Sequence, residues 1–187
     1  MFIQTEETPN PLSLKFVTNS EIISSSHNVS YQRNGNLEES PKFIQDIFSI
    51  NKVTSVMVNA EFITITIEEE SKWDVIKPEI IHILLEYGQN GGLSINEAKK
   101  DATPAKEFEG IEKEINDLID ERVRPAVEMD GGDIEFIKFD EESGVVYVRM
   151  KGACEGCPSS SATLKNGILR MLEYYVPEVT DVIPMEE

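Results

Sequence analysis

The chain has 187 residues, of which 40% are hydrophobic, which is enough for one large or two small folded domains and argues against a disordered scaffold. Its 35 acidic and 17 basic residues give a formal net charge of -18, which repels phosphate backbones and argues against general nucleic-acid binding. Proteins or cations are therefore the expected partners.

The first half of the sequence predicts a sheet covered by helices. Two apolar segments around Thr8–Pro11 are expected to be strands, and the alternation of 62–67 predicts a hairpin with 53–58. Helices are expected near Pro41–Phe48 and Trp73–Tyr87, where apolar residues recur at helical spacing.

The middle of the chain, 89–110, is rich in Gly, Asn, Ala, Lys and Glu and lacks a sustained apolar period, which is typical of a flexible linker. We therefore predict a first domain over 1–88, a linker over 89–109 and a second domain over 110–187.

The second half opens with an apolar stripe that predicts a helix over 111–123. The segment Asp130–Asp133 then predicts a turn, because glycine permits the positive φ that a sharp turn needs. Strands are expected at 134–139 and 145–151, followed by a Cys-x-x-Cys loop, a helix from about Pro158, and a last strand at 179–183. This order predicts an α+β fold with two small layered domains.

The Cys-x-x-Cys loop contains the only two cysteines of the chain, Cys154 and Cys157. Because the loop precedes a helix, the partial positive charge of the helix start favours the thiolates that bind metal or attack disulfides. Four interpretations follow from the residues alone: a metal or iron-sulfur cluster site, a thiol-disulfide oxidoreductase, a dimeric zinc module, and an inert turn. Against the oxidoreductase, the loop follows a hairpin rather than a βαβ unit.

The number of thiols also constrains the site. An all-cysteine cluster or zinc site takes four thiolates, and one chain offers two. Two chains related by a two-fold axis could together supply four, and symmetric dimers are the commonest oligomers. A cluster at such a junction would be held by surface loops, which suits a carrier. Ion ligation by Asp130, Asp133, His27 or His82 is not expected, and His82 is expected to pack within its helix, which is rich in Ile and Leu.

The residues also resemble a known family, the Nfu-type iron-sulfur cluster scaffolds. The segments DGGDIEF (130–136) and GACEGCPSSSATLKNGI (152–168) are similar to the family's C-terminal NifU domain. The segments FIQTEETPNPLSLKF (2–16), FITIT (62–66) and WDVIKP (73–78) resemble the Nfu N-terminal domain. Together these matches span nearly the whole chain.

The resemblance implies a non-enzymatic scaffold and carrier. In that family pattern Cys154 and Cys157 bind a [4Fe-4S] cluster shared between two chains. The cluster comes from upstream assembly proteins and passes to apo-enzymes such as aconitase-like or lipoyl-synthase-like proteins. The N-terminal domain is the expected place for partner contacts and regulation.

The first twenty residues predict neither a signal peptide nor a basic transit sequence, and no apolar run is long enough to span a membrane. We therefore expect a bacterial cytoplasmic protein in preference to a mature organellar matrix form.

Overall fold

The computed structural model describes residues 2–19, 22, 28–90, 93, 95, 108–156 and 161–185. They form a mixed helix and strand fold with two compact units, Met1–Lys100 and Asp101–Glu187. Within the described residues every helix is too short or too polar to cross a lipid bilayer.

The first unit is a five-stranded antiparallel sheet in the order β1-β2-β5-β4-β3, with two helices packed on one face. Strand β5 alternates as predicted, so that Ile63, Ile65 and Ile67 enter the core beneath the helices. The elements are β1 Ile3–Glu7, β2 Ser13–Thr18, β3 Val29–Gln32, α1 Lys42–Ser49, β4 Val53–Val58, β5 Phe62–Ile67, a 3₁₀ turn Glu70–Lys72 and α2 Trp73–Gln89.

The end of helix α1 is held by a single arginine from the loop after β3. Arg33 donates from Nε to the Val53 carbonyl (2.5 Å) and from Nη2 to the carbonyls of Phe48 (3.0 Å) and Ile50 (2.6 Å). The last carbonyls of a helix have no partner within the helix. A cation at this end also interacts favourably with the partial negative charge of the helix dipole. Arg33 therefore joins α1 to the first residue of β4.

We expect Arg33→Ala to lower the free energy of unfolding of the first unit by about 2 kcal/mol, because three carbonyls lose a charged donor. Urea unfolding followed by circular dichroism measures the change. Lys52→Ala is the matched control, since solvent screens the exposed Lys52–Glu68 pair (3.0 Å) and its removal should change the free energy of unfolding much less. Equal effects of the two variants would contradict the role given to Arg33.

Part of the predicted linker belongs to the first unit. Leu93 and Ile95 are buried in its core, and the Ile95 N–H donates to the carbonyl of Ile22 (2.9 Å). Two apolar residues in a polar segment are too few to produce a sequence period, so the composition of 89–109 did not reveal them. The other residues of 91–107 lie outside the described part of the chain, and the exact domain boundaries stay a prediction.

The second unit has a three-stranded sheet in the order β6-β7-β8, covered on one face by helices. Strands β6 and β7 form an antiparallel hairpin, whereas β8 runs parallel to β7 and follows helix α5. The elements are α3 Gly110–Leu118, a π-helical turn Ile119–Val123, α4 Arg124–Met129, β6 Gly132–Asp140, β7 Val145–Gly152, α5 Ser161–Tyr175 and β8 Asp181–Met185.

The helix predicted at the start of this unit is longer than expected and contains a π turn. Its buried stripe of Ile115, Ile119, Val123 and Val127 continues through the turn into α4. Pro125 lies just after the turn. A proline inside a helix cannot donate a backbone hydrogen bond, and its ring clashes with the carbonyl of the residue four positions earlier. A wider turn relieves both constraints without breaking the stripe.

Candidate cluster-binding site

Cys154 lies in a tight turn directly after strand β7. The turn begins with Gly152 (φ 62°), whose carbonyl accepts a hydrogen bond from the N–H of Glu155 (3.1 Å), and Gly156 again has a positive φ of 65°. Cys154 is half-buried and packs against the apolar core of the second unit. Cys157, the second predicted thiol, and Pro158, the predicted start of the next helix, lie outside the described residues.

The Asp130–Asp133 turn packs directly against the cysteine turn. Gly132 and Gly152 are partners in the β6–β7 ladder, and the N–H of Ala153 donates to the carbonyl of Gly131 (3.1 Å). A Cβ on Gly132 would overlap Cys154 Sγ and would lie 3.1 Å from both Cys154 Cβ and the Lys151 carbonyl. The thiol of Cys154 therefore occupies the space that a side chain at position 132 would fill.

The sequence interpretation of this segment as a turn was incomplete. Gly131 has the positive φ expected of a turn (78°), and its N–H bonds to the carbonyl of Glu128 (3.0 Å). The contact of Gly132 with the thiol was missed, because the two residues are distant in sequence and no local period connects them. The two adjacent glycines were the available signal for this contact. One glycine is enough to form the turn, so the second indicates that another group approaches the backbone closely.

A buried ion pair holds the beginning of strand β6. Asp133, which is 2% exposed, accepts from Arg124 and from the N–H of Ile134 (2.7 Å). Arg124 also pairs with Asp120 (2.6 Å). Burial by itself would lower the pKa of Arg124. The attraction of Asp133 and Asp120 outweighs burial and raises that pKa above its usual range. Asp133 is thus a carboxylate that fixes the beginning of β6 to α4.

The end of strand β7 carries a second ion-pair cluster on the opposite face of the sheet from the helices. Glu135 Oε2 lies 3.0 Å from Lys151 Nζ and 3.3 Å from Arg149 Nη1. Burial raises the pKa of Glu135, but the attraction of Lys151 and Arg149 outweighs it, and the net effect lowers that pKa from 4.5. Glu135 is therefore ionised and bound to both cations at neutral pH.

This shift predicts acid sensitivity. A carboxylate whose pKa is lower in the folded state stabilises the fold above its unfolded-state pKa, and that contribution is lost as the pH falls through the folded-state value. We expect wild type to be more stable than Glu135→Gln at pH 7 and to lose that advantage below about pH 4.5. Thermal unfolding of both proteins from neutral to acidic pH measures the difference. A pH-independent difference would contradict the assignment.

One chain does not assemble a complete ion site from the residues that the structure describes. No three side chains of the types His, Cys, Asp and Glu come together among them. His82 lies on the surface of α2 with its side chain 80% exposed, so the ordinary packing expected for it was wrong. Its helix is amphipathic, and position 82 falls on the solvent side.

The topology corrects one argument made from the sequence. The cysteine turn follows a hairpin, as predicted, but it is also the first connection of a β7–α5–β8 unit with parallel strands. In such units ligands bind beyond the carboxyl ends of the strands, and the cysteine turn lies at that end of β7. The supposed absence of a βαβ unit therefore does not argue against dithiol chemistry.

Two family models match the chain. The model described as NifU-like domain matches residues 115–183, and the model described as Scaffold protein Nfu/NifU N terminal matches residues 3–91. The order of the two models along the chain is the order predicted from the motifs. The chain belongs to the Nfu family of NifU-like proteins. The resemblance inferred from the sequence is thus confirmed.

Relatives of this Nfu-family chain include proteins named NFU1 iron-sulfur cluster scaffold homolog, mitochondrial. The protein from Drosophila sechellia is 39% identical over 188 residues, covering 97% of this chain and 64% of the relative. The protein from Drosophila willistoni is 39% identical over 184 residues, covering 97% and 63%. The chain therefore spans slightly less than two thirds of the length of these relatives.

Parts of the Nfu-family chain are similar to proteins of known structure. A NifU-like protein from Saccharomyces cerevisiae is 29% identical, with a TM-score of 0.47, over 53% of this chain and 87% of that one. Protein SAV1430 from Staphylococcus aureus is 24% identical, with a TM-score of 0.40, over 45% and 99%.

The predicted bacterial cytoplasmic location is wrong. The relatives from Drosophila are named as mitochondrial proteins, which indicates an organellar form. The residues that pack the core and form the cysteine turn are required by the fold, and the fold is the same in the cytoplasm and in an organelle. The residues that identify the family therefore do not distinguish the compartments.

Proposed function

We propose that this protein is an iron-sulfur cluster scaffold and carrier. It binds a [4Fe-4S] cluster through Cys154 and Cys157 of two protomers and transfers it to apo-proteins. The observation that carries the proposal is the setting of Cys154, whose thiol lies at the carboxyl end of β7 in a space left open by Gly132. Membership of a family whose relatives are named scaffolds supports the same conclusion.

The sharing of the cluster between chains follows from the number of ligands. A cluster of this type takes four thiolates, and each chain has two cysteines. Two carboxylates near the start of β6 do not make up the difference, because Asp133 is paired with Arg124 and Glu135 with Lys151. A homodimer formed on cluster binding supplies the remaining thiolates.

Transfer requires only ligand exchange. A client thiolate forms a bond to iron as a cysteine of the carrier leaves, and the leaving thiolate takes up the proton that the client thiol has lost. Iron and sulfide keep their oxidation states, so no reductant is consumed. The protein is thus a carrier without turnover chemistry, placed between upstream assembly proteins and apo-enzymes of the aconitase and lipoyl synthase kind.

The domain arrangement is part of the same proposal. The second domain, 110–187, binds the cluster, while the first, 1–88, contributes partner contacts. The segment 89–109 connects them, with Leu93 and Ile95 packed in the first core.

Anaerobic reconstitution with iron and sulfide tests the proposal. We expect a broad absorbance near ~400 nm, which arises from thiolate and sulfide bonding to iron. We also expect a shift from monomer to dimer in analytical ultracentrifugation and recovery of activity when the loaded protein is mixed with apo-aconitase. A colourless monomer after a competent reconstitution would contradict the proposal.

A second candidate function is thiol-disulfide exchange, which the β7–α5–β8 placement of the cysteine turn favours. It predicts that the metal-free protein catalyses reduction of a disulfide substrate by dithiothreitol. If the protein binds a cluster but does not catalyse disulfide reduction, the result excludes thiol-disulfide exchange and supports the carrier function.

A further inference from the structure

Among the described residues of the second unit, the helices cover one face of the sheet and leave the other face open. The core of this unit lies on the other face, where Ile134, Val146, Val148 and Val182 meet the helices. Because side chains alternate along a strand, the residues between them point away from the core. Those on the open face are Asp133, Glu135, Lys138 and Asp140 of β6, Val145, Tyr147, Arg149 and Lys151 of β7, and Asp181, Ile183 and Met185 of β8.

The open face combines apolar surface with positive charge. Ile183 and Met185 are 36% and 39% exposed, and they pair in register with Tyr147 and Arg149. Lys138 lies over the Tyr147 ring, 4.5 Å from its centroid. An aromatic ring, two aliphatic side chains and cations are the composition enriched in protein interfaces.

The cations of the open face outnumber the carboxylates available to them. Arg149 and Lys151 share the single carboxylate of Glu135, and Arg149 Nε is buried without a hydrogen-bond partner among the described residues. Lys138 adds a third positive charge, which also acts on the carboxylate of Asp140.

The carboxylates at the margins of the face have partners of their own. Asp133 is paired with Arg124, and Asp181 is paired with Lys165 (3.0 Å). In a protein with a net charge of -18, two cations that share one carboxylate are a local exception that attracts acidic groups.

The face is also close to the cysteine turn. Lys151 precedes Cys154 by three residues at the end of β7, a distance of about 10 Å along an extended chain. A segment lying along β7 would therefore reach the turn that holds the thiol.

We propose that this open face is the docking surface for an extended acidic and apolar segment of a protein partner in cluster transfer. The identity of the partner as one that exchanges clusters rests on the proposed function, whereas the docking chemistry does not. Carboxylates of the segment pair with Arg149, Lys151 and Lys138, and its apolar side chains cover Ile183 and Met185. This assigns partner contacts to the second unit in addition to those proposed for the first.

Fluorescence anisotropy with the metal-free full chain tests the surface. The probe is a labelled short peptide in which glutamate alternates with leucine, and the control peptide has lysine in place of glutamate. We expect the acidic peptide to bind, and Ile183→Glu to weaken binding about tenfold through like-charge repulsion. Raising NaCl from about 50 mM to about 500 mM should weaken it further. The matched variant Val75→Glu, at a position 72% exposed in the first unit, should bind within about twofold of wild type.

Three results would overturn the docking surface. They are no binding of the acidic peptide, equal binding by Ile183→Glu and wild type, and a preference for the lysine peptide. A fourth is loss of the cluster-loaded dimer in Ile183→Glu with peptide binding unchanged, which would make the face a contact between two copies of the chain. Cluster loading of the wild type is measured separately by absorbance, so its failure counts against the proposed function and leaves the peptide result to decide the docking surface.

Discussion

Cys154→Ala is expected to abolish cluster binding while leaving the second unit folded. The proposed site has four thiolates from two chains, and this substitution removes two of them at once, one from each protomer. The fold should persist because the core of the unit is built from the apolar residues of three helices and three strands, to which Cys154 adds only an edge contact. Absorbance after anaerobic reconstitution and circular dichroism of the same sample measure the two effects.

Glu155→Gln is the matched control for the cysteine substitution. It changes the neighbouring residue of the same turn without removing a thiol, so it should keep the absorbance and the shift to dimer. Full loading of Cys154→Ala would show that the thiol is not a ligand. Unfolding of Cys154→Ala on circular dichroism would instead favour a structural metal.

Gly132→Ala is expected to reduce both cluster loading and stability. The new methyl group would occupy the position of Cys154 Sγ and press on the carbonyl of Lys151, so either the thiol or the β6–β7 hairpin must shift. Forcing a methyl group into a filled space typically costs about 1–3 kcal/mol of folding free energy. We expect a loss of that size in urea unfolding, together with weaker cluster retention when the loaded protein is challenged with a chelator.

Gly167→Ala provides the comparison for this methyl group. It adds the same methyl group on helix α5, where nothing lies within 4 Å of the new Cβ. The variant should be as stable as wild type or slightly more so, because alanine favours a helix over glycine by up to about 1 kcal/mol. Equal behaviour of the two alanine variants would mean that the space beside Cys154 has no role.

Much of the fold could be predicted because its signals are periodic and local. The alternation of Ile63, Ile65 and Ile67 identifies a strand with one buried face, and the stripe from Ile115 to Val123 identifies a helix. The order of helix, two strands, cysteine turn, helix and strand in the second half followed from such patterns. Cys154 was predicted as a site residue from its motif, and the structure describes the turn around it.

The remaining features depend on contacts between residues that no period connects. The pairing of Arg124 with Asp133 and the contact of Cys154 with Gly132 arise only when the start of α4 meets β6 and when β6 meets the turn after β7. The parallel direction of β8 likewise depends on where α5 returns the chain, which helix and strand patterns do not specify. The burial of Leu93 and Ile95 was hidden because two apolar residues do not make a pattern.

The parallel pairing of β8 has a mechanical consequence for release of a cargo. Strand β7 is anchored on one side of the cysteine turn by its ladder with β6, which extends to Gly152. On the other side, helix α5 is anchored by its buried residues Ile168 and Leu172 and leads into a strand that is itself tied to β7. The two elements that flank the cysteine turn are thereby fixed to the same sheet, so release of a cluster under the proposed function need not rearrange them.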